Sequence, residues 1–376
     1  MLKIMTILGT RPEIIKMCRV ISEFEKHTNH ILVHTGQNYD YELNEIFFNE
    51  LEIKKPNYFL NAAGENAATT IGNVISKIDN VLEKEKPDAV LIYGDTNSAL
   101  SVIAAKRRKI PIFHMEAGNR SFDQRVPEEI NRKIVDHLSD INLVLNEHAR
   151  RYLIREGISQ DTIIKTGSHM PEVLNYYKDS FKNANPLSKL GIDKNKYFLI
   201  SLHREENVDT EKNLIKIMET LDAIYEEYRF PIIVSTHPRT KIKLKKLGYN
   251  SNENISFLKP FGFFDYVKLQ IEACCTISDS GTITEEASIL NLPAITIRNS
   301  HERPEGMDAG TLIMSGLSKE RVLESLSVTL NHHNKLEREF SIIDDYRDIN
   351  TSKKILRIVL SYIDYINSNI WKKNII

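Results

Sequence analysis

Short runs of β-branched and aliphatic residues alternate with amphipathic segments along the chain, and this alternation most constrains its fold. In the first half, the strand-like runs cover residues 3–8, 30–34, 89–93, 110–113 and 141–145. Between the first two runs, residues 12–26 carry apolar side chains at helical spacing, and Pro12 suits the first turn of a helix. Strands that alternate with helices predict a parallel sheet covered on both faces.

A second series of the same kind follows. Its strand-like runs cover residues 198–202, 231–235, 255–258, 274–278 and 293–297. A length of 376 residues fits two domains, and the polar stretch 179–196 lies near the change from one series to the other. We therefore predict two Rossmann-like α/β domains with parallel sheets, over residues 1–168 and 169–350. We expect ligands in a cleft at the carboxyl ends of their strands. The segment 351–376 holds a helix with one apolar stripe.

The composition excludes several classes of protein. Fifty Lys and Arg residues balance 51 Asp and Glu residues, so no general charge draws the chain to nucleic acid or anionic membrane. Three cysteines, two of them adjacent, fit neither a disulfide framework nor a C-x-x-C metal site. Neither a signal peptide nor an apolar stretch of about 18 residues is apparent. We expect a cytoplasmic, metal-free protein that binds any anion by local geometry.

The first predicted strand is followed by a candidate anion site. The sequence GTRPE at residues 9–13 opens a helix, with Lys16 one turn further on. The N–H groups of a helix N-terminus, together with Arg11 and Lys16, can hold a phosphate. The alternative is an ordinary turn with a solvated Arg and Lys. Neither a G-x-G-x-x-G fingerprint nor a Walker loop occurs, which argues against a tightly cradled dinucleotide or ATP.

Three carboxylates lie at strand or helix ends of one predicted sheet edge. Asp95 follows the run 89–93, Glu116 comes just beyond the next run, and Glu128 lies in the first turn of an amphipathic helix. Each has an ordinary explanation, because Asp caps helices and acidic side chains are stabilised at helix N-termini. Together they indicate acid–base chemistry.

Histidines and arginines follow two strands of the second half. His203 and Arg204 come directly after the run 198–202, and His237 follows the next run with an arginine two residues later. A lone histidine is usually structural. Two histidines at adjacent strand ends, each near an arginine, indicate an anionic ligand, and we expect Arg204 and His237 to bind it.

The strongest local signal in the second half is the sequence DSGTITEE. A strand stops, Ser280, Gly281 and Thr282 form a turn with free backbone N–H groups, and a helix starts. Such a turn is an anion nest suited to a diphosphate. Glu286, one turn into the helix, can hydrogen-bond a ribose diol or serve as a solvated helix carboxylate. Arg303, in the sequence HERPE, adds a charged turn at the same edge.

Taken in order, the motifs GTRPE, GDTNS, HMEAG, PEEINR, HREEN, DSGTITEE and ERPE resemble those of the non-hydrolysing UDP-N-acetylglucosamine 2-epimerase family. They span residues 9–305, and their joint order is highly specific. The resemblance implies two Rossmann-like domains in the glycosyltransferase-B architecture, with the final helix returning to the N-terminal domain. It also implies a UDP-sugar substrate, a homodimer, and neither a metal nor another cofactor.

By motif, the resemblance implies a catalytic and a binding group of residues. The catalytic residues would be Asp95, Glu116, Glu128 and His203. The diphosphate or sugar would be contacted by Arg11, Lys16, His203 and Arg303, the phosphate by Ser280, Gly281 and Thr282, and the ribose by Glu286. The segment 259–266 lies where the family binds uracil, through the backbone of Phe261 and by stacking on Tyr266. Phe261 stands where the best-known members have Gln.

The implied mechanism is elimination and re-addition of UDP. The C2 proton of an acetamido sugar is not beside a carbonyl group, so simple deprotonation is too costly. Elimination across C1–C2 gives a glycal, and reprotonation on the other face followed by re-addition inverts C2. This needs a carboxylate base, an acid on the opposite face and cations for the departing diphosphate. The sequence leaves open which carboxylate removes the proton.

Two segments bear on the identity of the sugar. The segment of residues 119–126 is shorter than the corresponding segment in enzymes that act on UDP-N-acetylglucosamine. Together with residues 34–41, it resembles the branch that makes UDP-N-acetyl-L-fucosamine for capsule and O-antigen. Its substrate is UDP-2-acetamido-2,6-dideoxy-β-L-talose, and Phe122 and Val126 are candidates to line its methyl group. UDP-N-acetylglucosamine is the alternative substrate. The rival functions are a hydrolysing epimerase, a glycosyltransferase of the same fold and a catalytically silent UDP-sugar sensor.

Overall fold

The computed structural model describes residues 1–36, 47–202, 207, 210–236, 240, 242–244, 252–334 and 336–373. Within them, the five apolar runs of the first half and two strands that were not predicted, β3 and β7, form a parallel sheet of seven strands in the order β3-β2-β1-β4-β5-β6-β7. The strands are β1 Lys3–Leu8, β2 Asn29–His34, β3 Tyr58–Phe59, β4 Ala89–Tyr93, β5 Ile112–Ala117, β6 Ile141–Val144 and β7 Ile163–Lys165. All residues of β4 are buried, as expected for a strand covered on both faces.

The second half forms another parallel sheet, with six strands in the order β10-β9-β8-β11-β12-β13. The strands are β8 Phe198–Leu202, β9 Ile232–Thr236, β10 Ile255–Leu258, β11 Cys275–Ser278, β12 Ala294–Thr296 and β13 Ile313–Met314. The prediction of two parallel α/β domains is therefore confirmed. The predicted runs 3–8, 89–93, 198–202 and 255–258 match their strands residue for residue.

Helices connect the strands in both sheets. Those of the first half are α1 Arg11–His27, α2 Ala67–Glu85, α3 Val102–Arg107, α4 Pro127–Leu138, α5 Glu147–Arg155 and α6 Met170–Tyr176. Those that follow are α7 Lys178–Asn183, α8 Pro186–Leu190, α9 Glu211–Tyr228, α10 Phe263–Glu272, α11 Ile283–Leu290, α12 Pro304–Asp308, α13 Lys319–His332 and α14 Thr351–Asn369. Short 3-10 helices lie at Asn97–Ser101, Gln160–Thr162 and Asp344–Tyr346. No helix within the described ranges combines the length and apolarity needed to cross a bilayer.

The chain divides into two units, Met1–Asn175 with Arg347–Ile376 and Tyr176–Tyr346. The boundary drawn from the sequence, after residue 168, falls before this division. The C-terminal helix α14 belongs to the first unit, where it packs against α1. Its apolar stripe, including Ile355 and Val359, is buried, and so is Cys18 on α1.

The order of the strands determines which turns are neighbours. In the first sheet, β1, β4 and β5 lie side by side and parallel, so the segments at their carboxyl ends share one edge. In the second sheet, the same holds for β8, β11 and β12. These two edges carry the candidate residues that the structure describes.

Candidate active site

In the first unit, a buried lysine pairs with one of the candidate carboxylates. The Nζ atom of Lys16 on α1 lies 3.2 Å from Oε2 of Glu116 at the end of β5. The lysine side chain is 5% exposed and that of the glutamate 14%. Asn119 donates a hydrogen bond of 3.2 Å from Nδ2 to Oε1 of the same carboxylate. The solvated lysine that the sequence allowed is therefore ruled out, because Lys16 is committed to a carboxylate.

Glu116 lies within β5 and not just beyond it, which corrects the sequence-based placement. The backbone of Glu116 has φ +63°, and the register between β5 and β6 shifts between Met115 and Ala117. A bulge of this kind redirects a side chain, and positive φ at a non-glycine residue is strained. Gly118 follows at φ +80°, and a Cβ atom there would lie 2.7 Å from the carbonyl oxygen of Ala149. The local backbone thus turns Glu116 out of the regular strand.

The second candidate carboxylate is held by an arginine. Arg132 on α4 donates from Nε to Oδ2 of Asp95 at 2.8 Å, and its Nη2 atom lies 2.7 Å from the same oxygen. Its Nη1 atom donates to Oε2 of Glu129 at 2.9 Å. The arginine side chain is 4% exposed, whereas that of Asp95 is 29% exposed. Asp95 therefore keeps one accessible side while its other side is fixed.

Glu129 completes this arrangement from inside the protein. Burial raises the pKa of Glu129, but hydrogen bonds from Ser121 and the ion pair with Arg132 outweigh burial, and the net pKa is lowered. The sequence analysis missed Arg132 and Glu129. Both lie in the motif PEEINR, and their spacing on one helix was the available signal. The neighbouring Glu128 opens α4 as predicted and is half-buried.

A buried network lies behind these turns. His114 on β5 makes a hydrogen bond of 2.8 Å from Nε2 to the carbonyl oxygen of Gly94, and its Nδ1 atom lies 2.8 Å from Oδ1 of Asp136. Asp136 also accepts from the backbone N–H of Gly118 at 3.2 Å and pairs with Arg120 at 2.7 Å. Burial raises the pKa of Asp136, but His114 and Arg120 lower it by more than burial raises it. The net shift of the pKa is therefore downward. The network ties the turns after β4 and β5 together.

Arg11, at the start of α1, is half-buried, and its guanidinium lies 5.8 Å from the ring centre of Phe47. The candidates His203, Arg204 and His237 lie outside the described residues. Most of the segment 34–41 does so as well, since the described part ends at Gly36.

In the second unit, the turn between β11 and α11 has the predicted form but not all of its N–H groups are free. Ser280 donates its backbone N–H to Oγ of Ser278 at 3.0 Å, and Thr282 donates its own to Oγ of Ser280 at 3.3 Å. The hydroxyl groups of Ser280 and Thr282 lie 2.9 Å apart. The expectation that the backbone N–H groups of this turn are free is therefore corrected, because the hydroxyl oxygens of Ser278 and Ser280 accept hydrogen bonds from two of them.

Gly281 packs directly against the next turn. A Cβ atom at this position would lie 2.5 Å from Oε1 of Glu302 and 3.8 Å from Nε of Arg303. Glu302 in turn pairs with Arg298 at 2.8 Å, and both side chains are buried. A side chain at position 281 would therefore displace the carboxylate of Glu302.

Arg303 lies beneath this turn. Its side chain is 2% exposed, and its Nη2 atom lies 3.4 Å from Oε2 of Glu285. Its Nη1 atom lies 3.9 Å from Oε1 of Glu305, which accepts a hydrogen bond of 2.5 Å from the hydroxyl of Tyr346. The sequence predicted a charged turn at this edge, and the structure shows its guanidinium buried beside the carboxylates of Glu285 and Glu305.

Glu286 is also buried and has a partner that the sequence analysis missed. Gln270 on α10 donates from Nε2 to Oε2 of Glu286 at 2.6 Å. Tyr266 lies one turn earlier on α10 and, with Phe261, packs on the apolar cluster that includes Leu199. Burial, followed by the negative charge of Glu286, raises the pKa of Tyr266. The structure therefore brings the predicted ribose and uracil contacts to one place.

The chain matches a family model described as UDP-N-acetylglucosamine 2-epimerase over residues 22–360. A solved UDP-N-acetylglucosamine 2-epimerase from Rickettsia bellii is 60% identical, with a TM-score of 0.93 over 99% of this chain and 100% of that chain. The Methanocaldococcus jannaschii UDP-GlcNAc 2-epimerase, solved with UDP-GlcNAc and UDP, is 37% identical, with a TM-score of 0.89 over 96% and 99% of the two chains.

Two further matches show the breadth of the likeness. A UDP-2,3-diacetamido-2,3-dideoxy-D-glucuronate 2-epimerase of Pseudomonas aeruginosa is 34% identical over 88% of this chain and 92% of its own length. The glycotransferase of kitacinnamycin, at 9% identity and a TM-score of 0.55 over 96% of this chain and 99% of its own, shares the fold alone.

Proposed function

Because the chain belongs to the UDP-N-acetylglucosamine 2-epimerase family, we propose that it inverts C2 of a UDP-linked 2-acetamido sugar without net hydrolysis. One observation carries the proposal. Asp95 and Glu116 stand at the ends of the adjacent strands β4 and β5, and each is held by an almost fully buried cation, Arg132 or Lys16. Paired carboxylates and cations at one sheet edge suit proton transfer beside a departing anion.

The proposed reaction proceeds in two balanced stages. A carboxylate takes the C2 proton, the electrons of the C2–H bond form the C1–C2 double bond, and the C1–O bond breaks so that UDP leaves with its electron pair. A proton then reaches the opposite face of C2, and a phosphate oxygen of UDP attacks C1. We assign the proton transfers to Asp95, Glu116 and Glu128, with His203 as a further catalytic residue. The order of the three carboxylates stays open.

We assign the nucleotide to residues of the second unit. Ser280, Gly281 and Thr282 would hold phosphate, Glu286 the ribose, and Phe261 and Tyr266 the uracil. Further contacts to the diphosphate or sugar are proposed for Arg11, Lys16, Arg204, His237 and Arg303. Because the Arg303 side chain is 2% exposed, we propose that its positive charge attracts the phosphate from below the turn formed by Ser280, Gly281 and Thr282. The proposed chemistry uses these charges and N–H groups, and we assign it no metal and no cofactor.

For the sugar, we propose UDP-2-acetamido-2,6-dideoxy-β-L-talose, which would give UDP-N-acetyl-L-fucosamine. The short segment 119–126 supports this choice. Within it, Phe122 is 67% exposed at φ +56°, and its ring packs edge-on against Tyr152 at 5.0 Å. An exposed aromatic ring suits a sugar that carries a methyl group at C6. Val126, the second candidate, is buried at the start of α4 and can act only by shaping the segment.

UDP-N-acetylglucosamine is the second candidate, because the Rickettsia and Methanocaldococcus proteins are named for it. The Pseudomonas relative is named for a different sugar at 34% identity, so similarity at that level does not transfer a substrate. We further propose a cytoplasmic homodimer that serves capsule or O-antigen synthesis, on the strength of the sequence resemblance.

The test is a proton NMR time course in D₂O with the two UDP-sugars in separate tubes. Conversion of the talose derivative alone, with deuterium entering at C2, is the expected result. Conversion of UDP-N-acetylglucosamine alone would keep the mechanism and overturn the substrate. Accumulation of free sugar and UDP would indicate a hydrolysing epimerase, and binding without turnover would indicate a sensor.

A further inference from the structure

The carboxylate of Glu13, in the first turn of α1, accepts hydrogen bonds from two turns, the one after β1 and the one after β4. Its Oε2 atom accepts hydrogen bonds from the backbone N–H of Gly9 at 2.5 Å and of Thr10 at 3.2 Å. Its Oε1 atom accepts from Oγ1 of Thr96 at 2.6 Å. A capping box needs only the bonds within its own turn. The bond to Thr96 is therefore an additional link, and it ends on the residue next to Asp95.

Glu13 is a carboxyl group for which the described part of the chain supplies no cationic partner. Its side chain is buried, and no ion pair to it forms among the residues that the structure describes. Burial raises the pKa of Glu13 to about 7, although the hydrogen bonds from Thr96, Gly9 and Thr10 oppose this shift. The negative charge of Asp95 raises it further. The charge of Asp95 therefore favours the protonated form of Glu13.

Seven other charged groups among the described residues lie on the elements around this edge. They are Arg11 and Lys16 on α1, Asp95 after β4, Glu116 on β5, and Glu128, Glu129 and Arg132 on α4. Lys16 bonds to Glu116, and Arg132 bonds to Asp95. Among these groups, Asp95 is the one whose charge acts on Glu13.

We propose that Glu13 is a positioning residue of the reaction, which fixes the turn of Asp95 against the turn that carries Arg11 and places a buried carboxyl group beside Asp95. This inference rests on the proposed epimerase function. It adds a residue that neither the motif roles nor the pairs with Lys16 and Arg132 include.

The link holds in both protonation states because a hydroxyl group can donate or accept. The ionised Oε1 atom accepts from Thr96, and the protonated one donates to it. The charge beside Asp95 does change, from zero below a pH of about 7 to negative above it. A negative charge beside Asp95 changes the electrostatic environment in which the proposed proton transfer takes place. Turnover should therefore show a pH limb near neutrality that depends on Glu13.

Glu13→Gln tests the charge, because its amide oxygen can accept from the backbone while its NH₂ group donates to Thr96. We expect it to keep the fold and UDP affinity and to lose the limb near pH 7 in the kcat profile. A profile identical to that of the wild type would overturn the switch.

Thr96→Val tests the link, since it removes the hydroxyl and leaves the bonds to Gly9 and Thr10. We expect kcat to fall about 10- to 100-fold with KM nearly unchanged, and Thr96→Ser to restore it. The control is Asn66→Ala, which removes the cap that accepts from Thr69 on α2 and lies in another turn of the same unit. An equal loss of kcat in Thr96→Val and Asn66→Ala would reduce Glu13 to a helix cap and overturn the inference.

A measurement without substrate separates this inference from the proposed function. Infrared difference spectra of the protein labelled with ¹³C-glutamate should show a protonated carboxyl band that disappears as the pH rises through about 7. The band should be absent in Glu13→Gln. Absence of turnover on either UDP-sugar would refute the function alone. A Glu13 that titrates with ordinary surface carboxyls would refute the switchable charge, whatever the activity.

Discussion

At the scale of single residues, two of the three candidate carboxylates, Asp95 and Glu116, are held by cations that water barely reaches. The side chains of Lys16 and Arg132 are 5% and 4% exposed. Charges interact more strongly where the local dielectric is low. Each carboxylate is therefore fixed from one side, and its remaining surface is available for chemistry.

We expect the amide variants Asp95→Asn, Glu116→Gln and Glu128→Gln to keep UDP affinity and lose turnover. Each keeps the size of the side chain and removes its capacity for proton transfer, which is worth about 10²- to 10⁴-fold in rate. Rates come from the NMR assay and UDP dissociation constants from calorimetry. The control is Glu147→Gln, an exposed carboxylate at the start of α5 that pairs with Arg150. A variant with wild-type turnover would remove its residue from the mechanism.

The stability of the protein should depend on Glu13 in a direction opposite to that of most carboxyls. Its folded pKa is about 7 and its ordinary value 4.5. The folded state thus binds the proton more tightly, and its contribution is fully present below 4.5 and lost as the pH rises to 7. At about 1.4 kcal/mol per pKa unit, the loss is about 3 kcal/mol.

Glu13→Gln has no proton to lose. Relative to the wild type, its free energy of unfolding should therefore improve by about 3 kcal/mol between a pH of about 4 and about 8. Urea unfolding at both pH values measures this difference. A constant difference between the two proteins would mean that Glu13 titrates alike in the folded and unfolded states.

At the scale of elements, strands could be predicted from the sequence and side-chain partners could not. Buried parallel strands leave continuous apolar runs, so the run 89–93 matches β4 residue for residue. The run 110–113 predicts a strand that ends too early, because Glu116 follows at a bulge set by pairing with β6. Positive φ at a glutamate arises from tertiary pairing and has no mark in the local sequence.

The ion-pair partners of the charged side chains could likewise not be predicted from the sequence. Arg303 in ERPE reads as part of a charged turn, yet its side chain is buried against Glu305 of the same motif and against Glu285, which comes from α11. The partnership of Arg132 with Asp95 likewise joins α4 to the turn after β4. Motif order gives candidate residues for the site, and only the folded structure shows which of them contact one another.

The turn after β11 offers a prediction at this scale. We expect Gly281→Ala to weaken UDP binding about 10-fold and to cost about 1 kcal/mol of stability, because its Cβ atom would meet Oε1 of Glu302 at 2.5 Å. The control is Gly72→Ala on α2, where a Cβ atom meets nothing within 4 Å. It should raise stability by about 0.5–1 kcal/mol and leave UDP binding unchanged. Calorimetry and urea unfolding measure both, and equal UDP affinity in the two variants would contradict the role of the turn.

At the scale of the whole molecule, the first unit is built from two separate stretches of chain. Residues 347–376 join residues 1–175, and α14 packs on α1. The buried stripe of α14 includes Val359, whereas its neighbour Leu360 is 43% exposed. The first unit therefore depends on residues that are remote in sequence.

Val359→Asp should lower the free energy of unfolding by more than about 3 kcal/mol, because it buries an unpaired charge. Leu360→Asp is the matched control and should change it by less than about 0.5 kcal/mol. Urea unfolding followed by circular dichroism compares them. Equal midpoints for the two variants would mean that α14 does not depend on its apolar stripe.

This discontinuity has a consequence during synthesis on the ribosome. The apolar face of α1 emerges early, but the helix that covers it in the finished protein leaves the exit tunnel only after residues 176–346. That face is exposed to other nascent chains throughout the interval, and domains generally form in the order in which they emerge. The second unit can therefore reach its native state first. The sheet of the first unit is synthesised earlier but completes its packing only after α14 has emerged, and chaperones can bind it in the interval.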